Sequence, residues 1–253
     1  MEEDSPATRR LAAFTVALLL SISGAVWQQA VRAEVYTLHL ALILWATRDA
    51  LRWRRDTSKG RNVRLARVAF TLGLAAANHH LLTFLHLPAL LFLLMASPVT
   101  PGDDRGSRVF RAVSWAIPAA LLYAVLPLRA LTDPLMNYGD PRTMGRLWDL
   151  VTASVFQASI TESSVSFAEN LYVALRMLSD TIGAPVLFLA LIGCWRLARR
   201  SPVLAATLCI AVLGNLASKV SMVIDPTNPD ALGYFQTSLA LLAKFPGPRL
   251  LLG

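Results

Sequence analysis

Uncharged apolar stretches separated by short charged ones run through the whole chain, at residues 11–27, 35–47, 68–96, 112–128, 181–195, 201–218 and 231–243. This pattern predicts an all-α integral membrane protein, because ~20 helical residues rising ~1.5 Å each cross the ~30 Å hydrocarbon core of a bilayer. Several stretches are shorter than that, so their helices must extend into flanking polar residues. Glu34, immediately before residues 35–47, is drawn in this way to a membrane boundary.

Residues 68–96 pose the opposite problem, since as one helix they would be ~43 Å long. They also carry Asn78, His79 and His80 in their middle, within "ANHHLLTFLHLP". Two short helices meeting at residues 78–80 resolve both facts, whereas one tilted helix would bury three polar side chains at mid-depth. The distribution of positive charge favours this hairpin. Residues 48–67 hold eight Lys and Arg against two Asp, and "WRLARR" at 195–200 is a second basic cluster. With the hairpin there are about eight transmembrane helices, and 16 of the 24 Lys and Arg residues fall on the cytoplasmic side. With a single crossing, "WRLARR" lands outside, against the positive-inside rule. The expected organisation is a cytoplasmic N-terminus at residues 1–10, a membrane domain at 11–243 with a long non-cytoplasmic loop at 129–180, and a C-terminal tail at 244–253. The first apolar run lacks an A-x-A-type cleavage site and reads as a retained span.

The loop opens with "LPLRALTDPLMNYGDPRT", dense in Pro, Asp, Asn and Gly, and should begin as ordered turns. From Met144 the spacing of Leu147, Leu150, Val151 and Ser154 predicts a short interfacial helix. Nine of the sixteen acidic residues lie on the outer side with "NHH" and "DPTNPD", making that membrane face the expected working surface.

A composition that is 55% hydrophobic agrees with the membrane class. The net charge of +8 would suggest a nucleic-acid partner if the basic residues shared one soluble face, but they fall in short clusters between spans, so none is expected. The only two cysteines, Cys194 and Cys209, sit inside apolar runs and offer neither a disulfide framework nor a CxxC site. Packing is their expected role.

Few residues could carry chemistry. Glu34 reads equally as a hydrated boundary residue or as a functional carboxylate. His39 lies ~7.5 Å deeper along the same helix, with Tyr36 on the same face, a pair suited to hydrogen-bonding a polar head group. An aromatic-belt tyrosine and a helix-bridging histidine would look the same. Asn78, His79 and His80 point to hydrogen bonding rather than to zinc: adjacent histidines on a helix diverge by ~100°, no cysteine helps, and no H-E-x-x-H pattern exists. Arg129, at the outer end of a span, could grip a phosphate with its planar fork or simply snorkel. Asn137 and Asp140 offer polar groups in "NYGDPRT", although a turn alone explains Asp140. No Walker loop, nucleophile elbow or dinucleotide fingerprint is present, and no metal or cofactor is expected.

Four segments, "WQQAVRAEVYTLH", "GLAAANHHLLTFLHLPALL", "LPLRALTDPLMNYGDPRT" and "NPDALGYFQTSLALLA", together resemble a family of multi-spanning bacterial proteins whose eukaryotic relative is a transmembrane protein O-mannosyltransferase. The family looks like the GT-C class of glycosyltransferases, so the resemblance implies a GT-C-like fold in a membrane, the bacterial inner membrane, and an active site at the non-cytoplasmic face. It also implies a polyprenyl-phosphate sugar as donor, an acceptor hydroxyl, and a loop carboxylate as base. Glu34 suits the base, with Tyr36, His39, Asn78, His79, His80, Arg129, Asn137 and Asp140 as substrate-binding groups. Family members usually begin with a further helix and an acidic first loop, and continue past the apolar segment where this chain ends, so the chain is expected to be truncated at both ends. A non-catalytic membrane protein and a proton-coupled transporter are the alternatives. The transporter requires polar residues along the inner halves of the spans, which are almost purely apolar.

Overall fold

The computed structural model describes residues 5–32, 35–58, 60–99, 104–152, 154, 166–220, 224, 228 and 230–242. All secondary structure among them is helical. Helix α1 (Pro6–Ile22) bends by 62° at Ser23 into α2 (Gly24–Ala30), and the Ser23 hydroxyl accepts the Val26 amide at 3.4 Å. Next come α3 (Tyr36–Arg55), α4 (Arg61–Ala96) and α5 (Arg105–Ala120). A 3-10 turn (Leu121–Ala124), reached just after Pro118 has removed a helical N–H, leads into α6 (Val125–Ala130). The remainder comprises α7 (Met144–Val151), α8 (Phe167–Ile182), α9 (Ala184–Arg200), α10 (Pro202–Val220) and α11 (Asp230–Leu242).

Helix α4 is not straight. His79 has non-helical backbone angles, φ −154° and ψ 89°. At the two ends of the helix, the Arg61 guanidinium donates to the Pro98 carbonyl at 3.3 Å. A continuous helix would hold these residues ~55 Å apart, so the chain turns back at His79 and its arms, residues 61–78 and 80–96, run antiparallel. Leu65, Val68 and Leu72 of the first arm accordingly line one small cavity with Leu90 and Leu94 of the second. Each arm is ~27 Å long.

The apolar runs are helical where they are described, but fewer of them qualify as spans than the eight expected. Among the described residues two helices, Arg61–Ala96 and Arg105–Ala130, are long and apolar enough to cross a membrane, and up to four spans result if each bent helix pair counts as one. The reason lies in length and charge. Helix α3 carries Arg48, Asp49, Arg52, Arg54 and Arg55 in its second half, while α11 has only 13 residues. The long loop is also more helical than expected, because α8 already begins at Phe167 behind a capping box formed by Ser166 and Glu169. Helix α1 starts at Pro6, within the segment read as an N-terminal tail. The expected tail at residues 244–253 lies outside the described residues.

At the arginine-rich end, one node joins four helical segments. Trp53, only 1% exposed, lies between two guanidinium groups, with Arg61 Cζ 4.5 Å and Arg108 Cζ 5.2 Å from its ring centroid. Fully buried Arg108 donates to the carbonyls of Leu94 (2.8 Å), Ser97 (3.0 Å) and Pro98 (2.5 Å). These carbonyls lie at and beyond the last turn of α4, where no helical donor follows, and the arginine satisfies them. Nearby, Asp56 receives the Ser58 hydroxyl at 2.5 Å, the Ser58 amide at 2.8 Å and Arg64 Nε at 2.6 Å.

From this end the main hydrophobic core extends along α3, both arms of α4, α9, α10 and α11, through Ala50, Leu93, Leu197, Leu208 and Leu241. A second cluster joins α2, α8 and α11 through Ala25, Ala174, Leu178, Phe235 and Leu239. The backbones of α4 and α5 meet at Gly73, where a Cβ would lie 2.6 Å from that of Ala119 and 2.9 Å from the Ala116 carbonyl. Close approach of this kind is how membrane helices gain packing energy without a hydrophobic driving force between them.

Candidate functional site

The end of the bundle opposite the arginine node collects the aromatic and imidazole side chains. Helix α3 supplies Tyr36 and His39, the turn of α4 supplies Asn78, His79 and His80, and the first turns of α11 supply Tyr234. Tyr36 lies 5.6 Å from His79 and 5.4 Å from Tyr234, and His79 is 5.7 Å from Tyr234, edge to face. His39 continues the cluster inward, 5.8 Å from His79 and 6.4 Å from His86. His80 lies 6.4 Å from His79 and, on its other side, 6.2 Å from Phe84. All distances are between ring centroids.

The break in α4 positions these groups. Where the chain reverses, Asn78 Nδ2 donates to the Val35 carbonyl at 2.9 Å, tying the turn to the residue that precedes α3. Helix α11 fits against α3 because residue 233 is glycine: a Cβ there would lie 2.5–2.8 Å from three atoms of the Tyr36 ring. An ion pair between Arg32 and Asp230 at 2.6 Å, and a hydrogen bond from buried Gln236 to the Ala25 carbonyl at 2.9 Å, anchor α11 to the α2 side. Buried Asn215 of α10 accepts the Ser238 hydroxyl at 2.6 Å a turn further down α11.

Two buried imidazoles keep hydrogen-bonding capacity. His86 Nδ1 bonds to the Leu82 carbonyl at 2.7 Å, which leaves Nε2 as a buried acceptor without a partner. Neither ring nitrogen of His39, 1% exposed, meets a partner at hydrogen-bonding distance and angle, and the Ala75 backbone is the polar group that acts on the ring. Rings of this kind can bond a hydroxyl or a phosphate oxygen that enters the cluster. Among the described residues no three His, Cys, Asp or Glu side chains are arranged to hold a metal ion.

Tyr36, His39, Asn78 and His79 are thus brought together, with His80 at their edge. Glu34 lies outside the described residues. Arg129 is exposed near the end of α6, ~9 Å along the helix from Tyr123, whose hydroxyl donates to the Ala76 carbonyl at 2.8 Å. Asn137 and Asp140 close their own loop: Asn137 Nδ2 donates to Asp140 Oδ1 at 2.8 Å, and Asp140 pairs with Arg142 at 2.9 Å and with Arg146. Asp133 and Asp140 both adopt positive φ, a conformation that Asp tolerates in turns. The helix expected from Met144 forms as α7, capped by Thr143, with Leu147 and Leu150 half-buried and Met144 and Trp148 exposed.

Sequence reasoning missed Tyr234 and His86. Tyr234 lies in the "NPDALGYFQTS" segment, where the glycine directly before it was the available signal. His86 is seven residues beyond His79, the spacing of one helix face.

Over residues 2–101 the chain matches a family model described as the Protein O-mannosyl-transferase TMEM260 N-terminal domain. That part of the chain is related to the protein O-mannosyltransferases, and it contains α3, both arms of α4 and every cluster residue except Tyr234. No curated protein and no solved structure matches the chain.

Proposed function

We propose that the chain forms part of the membrane domain of a GT-C-type glycosyltransferase, passing a mannose-like sugar from a polyprenyl-phosphate donor to an acceptor hydroxyl at the non-cytoplasmic membrane face. The observation that carries this reading is that the relation to protein O-mannosyltransferases falls on residues 2–101, the stretch that supplies Tyr36, His39, Asn78 and His79. In the proposed reaction the bond from the sugar's anomeric carbon to the lipid phosphate breaks, and a bond from that carbon to the acceptor oxygen forms. The acceptor proton passes to a carboxylate, for which Glu34 is the candidate. The lipid phosphate leaves as an anion, and hydrogen-bond donors held in place before the reaction stabilise its charge. Tyr36, His79 and His80 suit that task, His39 would bond the sugar, and Arg129 would grip the phosphate from the outer boundary. Asn137 and Asp140 would shape the outer loop over the acceptor. The arginine node then faces the cytoplasm, as the positive-inside rule favours.

The test is transfer of labelled mannose from polyprenyl-phosphate mannose in membranes carrying the chain. Glu34→Gln is expected to abolish turnover, and Tyr36→Phe and His79→Ala to weaken use of the donor. Donor turnover that all three variants leave unchanged would overturn the site, and no turnover at all would favour a non-catalytic membrane protein.

A further inference from the structure

Residues 131–151 follow directly on the helical span Arg105–Ala130, which is long and apolar enough to cross a membrane and whose apolar stretch is only 6% buried within the chain. They stay close to its end. The Thr132 and Asp133 amides donate to the Arg129 and Ala130 carbonyls at 3.0 and 3.3 Å, so the chain completes a last turn on α6. Arg142 then pairs with Asp133, which brings the start of α7 back to the same place. Both ends of the intervening turn are therefore held where the span ends.

The turn is closed from within. Asn137 Nδ2 donates to Asp140 Oδ1 at 2.8 Å, and Asp140 also pairs with Arg142 Nε at 2.9 Å and with Arg146. Leu150 of α7 packs against the turn, its Cδ1 3.4 Å from where a Cβ on Gly139 would lie. Asp133, Asp140, Arg142 and Arg146 thus compensate one another, and residues 133–146 carry no net charge. The large apolar side chains remain outside this network: Leu135 is fully exposed, and Met136, Met144, Trp148 and Tyr138 are 84%, 79%, 67% and 66% exposed. Single exposed apolar residues are ordinary, but these five fall within 14 residues. Met144 and Trp148 share one face of α7, and Arg146 projects from the opposite side, ~160° from both.

We infer that residues 133–151 lie in the bilayer interface, with the tip at Leu135 and Met136 and the Met144–Trp148 face of α7 immersed among lipid head groups and upper acyl chains. The partner is the lipid surface because the segment is tethered where the span ends and continues a helix whose apolar surface the chain leaves uncovered. Internal pairing of the four charges permits immersion, since an unpaired guanidinium or carboxylate would have to stay in water. Tyr138 and Trp148 have the amphipathic rings that settle at head-group level. With no net charge to attract anionic lipid, zwitterionic lipid suffices. The inference rests on the α5–α6 span crossing a membrane and is independent of the transferase reading.

The test uses the whole chain reconstituted in vesicles of phosphatidylcholine brominated either near the carboxyl end or near the methyl end of its acyl chains, with iodide as the aqueous quencher on both sides. The part of each signal that Trp148→Phe removes belongs to Trp148, and Leu135→Trp in the Trp148→Phe chain reports the turn in the same way. At both positions bromines near the carboxyl end are expected to quench at least about twofold more than those near the methyl end, and iodide to quench little, the signature of an element ~5–10 Å deep. Adding phosphatidylglycerol should leave this depth unchanged. Asp140→Asn removes the acid shared by Arg142 and Arg146 and should raise iodide quenching of Trp148 at least about twofold; an unchanged depth would overturn the role given to the ion pairs. Circular dichroism checks that each variant retains its helices. Quenching of Trp148 by iodide and not by bromine would overturn the inference by placing the segment in water. Quenching by neither would overturn it by showing that protein, a second copy or a bound polypeptide, covers the surface.

Discussion

Gly233→Ala tests the contact that seats α11 on α3. Two effects oppose each other. Alanine favours the helix by ~1 kcal/mol over glycine, but here its Cβ would lie 2.5 Å from Tyr36 Cδ2 and 2.6 Å from Cγ. Tyr36 cannot simply rotate away, because His79 and Tyr234 stand at 5.6 and 5.4 Å on its other sides. Overpacking of that kind costs ~1–3 kcal/mol, so the net effect is a loss of ~1 kcal/mol. In a Tyr36→Ala background the obstacle is gone and only the propensity term remains, so the same substitution becomes stabilising by ~1 kcal/mol. The expected coupling is therefore ~2 kcal/mol with a change of sign. Equilibrium unfolding of the detergent-solubilised chain by dodecyl sulfate, followed by circular dichroism, measures all four corners of the cycle. A Gly233→Ala effect of the same sign and size in both backgrounds would refute the claim that the missing Cβ positions the aromatic cluster.

Further outcomes are expected from the same structure. Arg108→Met removes the donor to three carbonyls at the end of α4 and one cation from Trp53, and should cost ~3 kcal/mol or more in the same unfolding assay. His39→Leu discards a ring whose nitrogens have no bonded partner, so stability should hold within ~1 kcal/mol while mannose transfer, if the cluster serves it, falls at least tenfold. Cys194 and Cys209 have sulfurs 3.4 Å apart, and a copper–phenanthroline oxidant should join them within one chain, read by mass spectrometry as the loss of two hydrogens after blocking of free thiols. Hydrogen bonds from Ser58, with Arg64, hold the Asp56 carboxyl down at about 2. The stability it contributes is therefore complete above its ordinary value near 3.8 and lost as pH falls through about 2. Asp56→Asn should flatten that part of an acid titration followed by tryptophan fluorescence.

Much of the helical framework was legible because membrane helices are written in uninterrupted apolar residues. The reversal at His79 followed from two physical constraints: residues 68–96 are too long for one crossing, and the arginines on either side prefer one face. The grouping of Tyr36 with His39 is helical arithmetic, and Asn78 and His79 join them because the turn lies level with the start of α3. Tyr234 could not be read in this way, since nothing local ties residue 234 to residue 36; the contact depends on an absent side chain at Gly233. Asp140 was ambiguous for a different reason. An aspartate in a turn between arginines satisfies its own loop first, and Arg142 and Arg146 supply what it needs. The span count failed where charge intrudes into an apolar run, as in the second half of α3.

The node around Trp53 also has a consequence in time. Trp53 and Arg61 leave the ribosome well before Arg108, yet Arg108 supplies the donors for the carbonyls that end α4. Until α5 has been synthesised, the Leu94, Ser97 and Pro98 carbonyls lack the donors that Arg108 brings, although Arg61 already reaches Pro98 and Leu94 already packs beside Trp53 and Leu65. The end of α4 is therefore completed by a residue of the following helix, and its last carbonyls wait for Arg108 to be made.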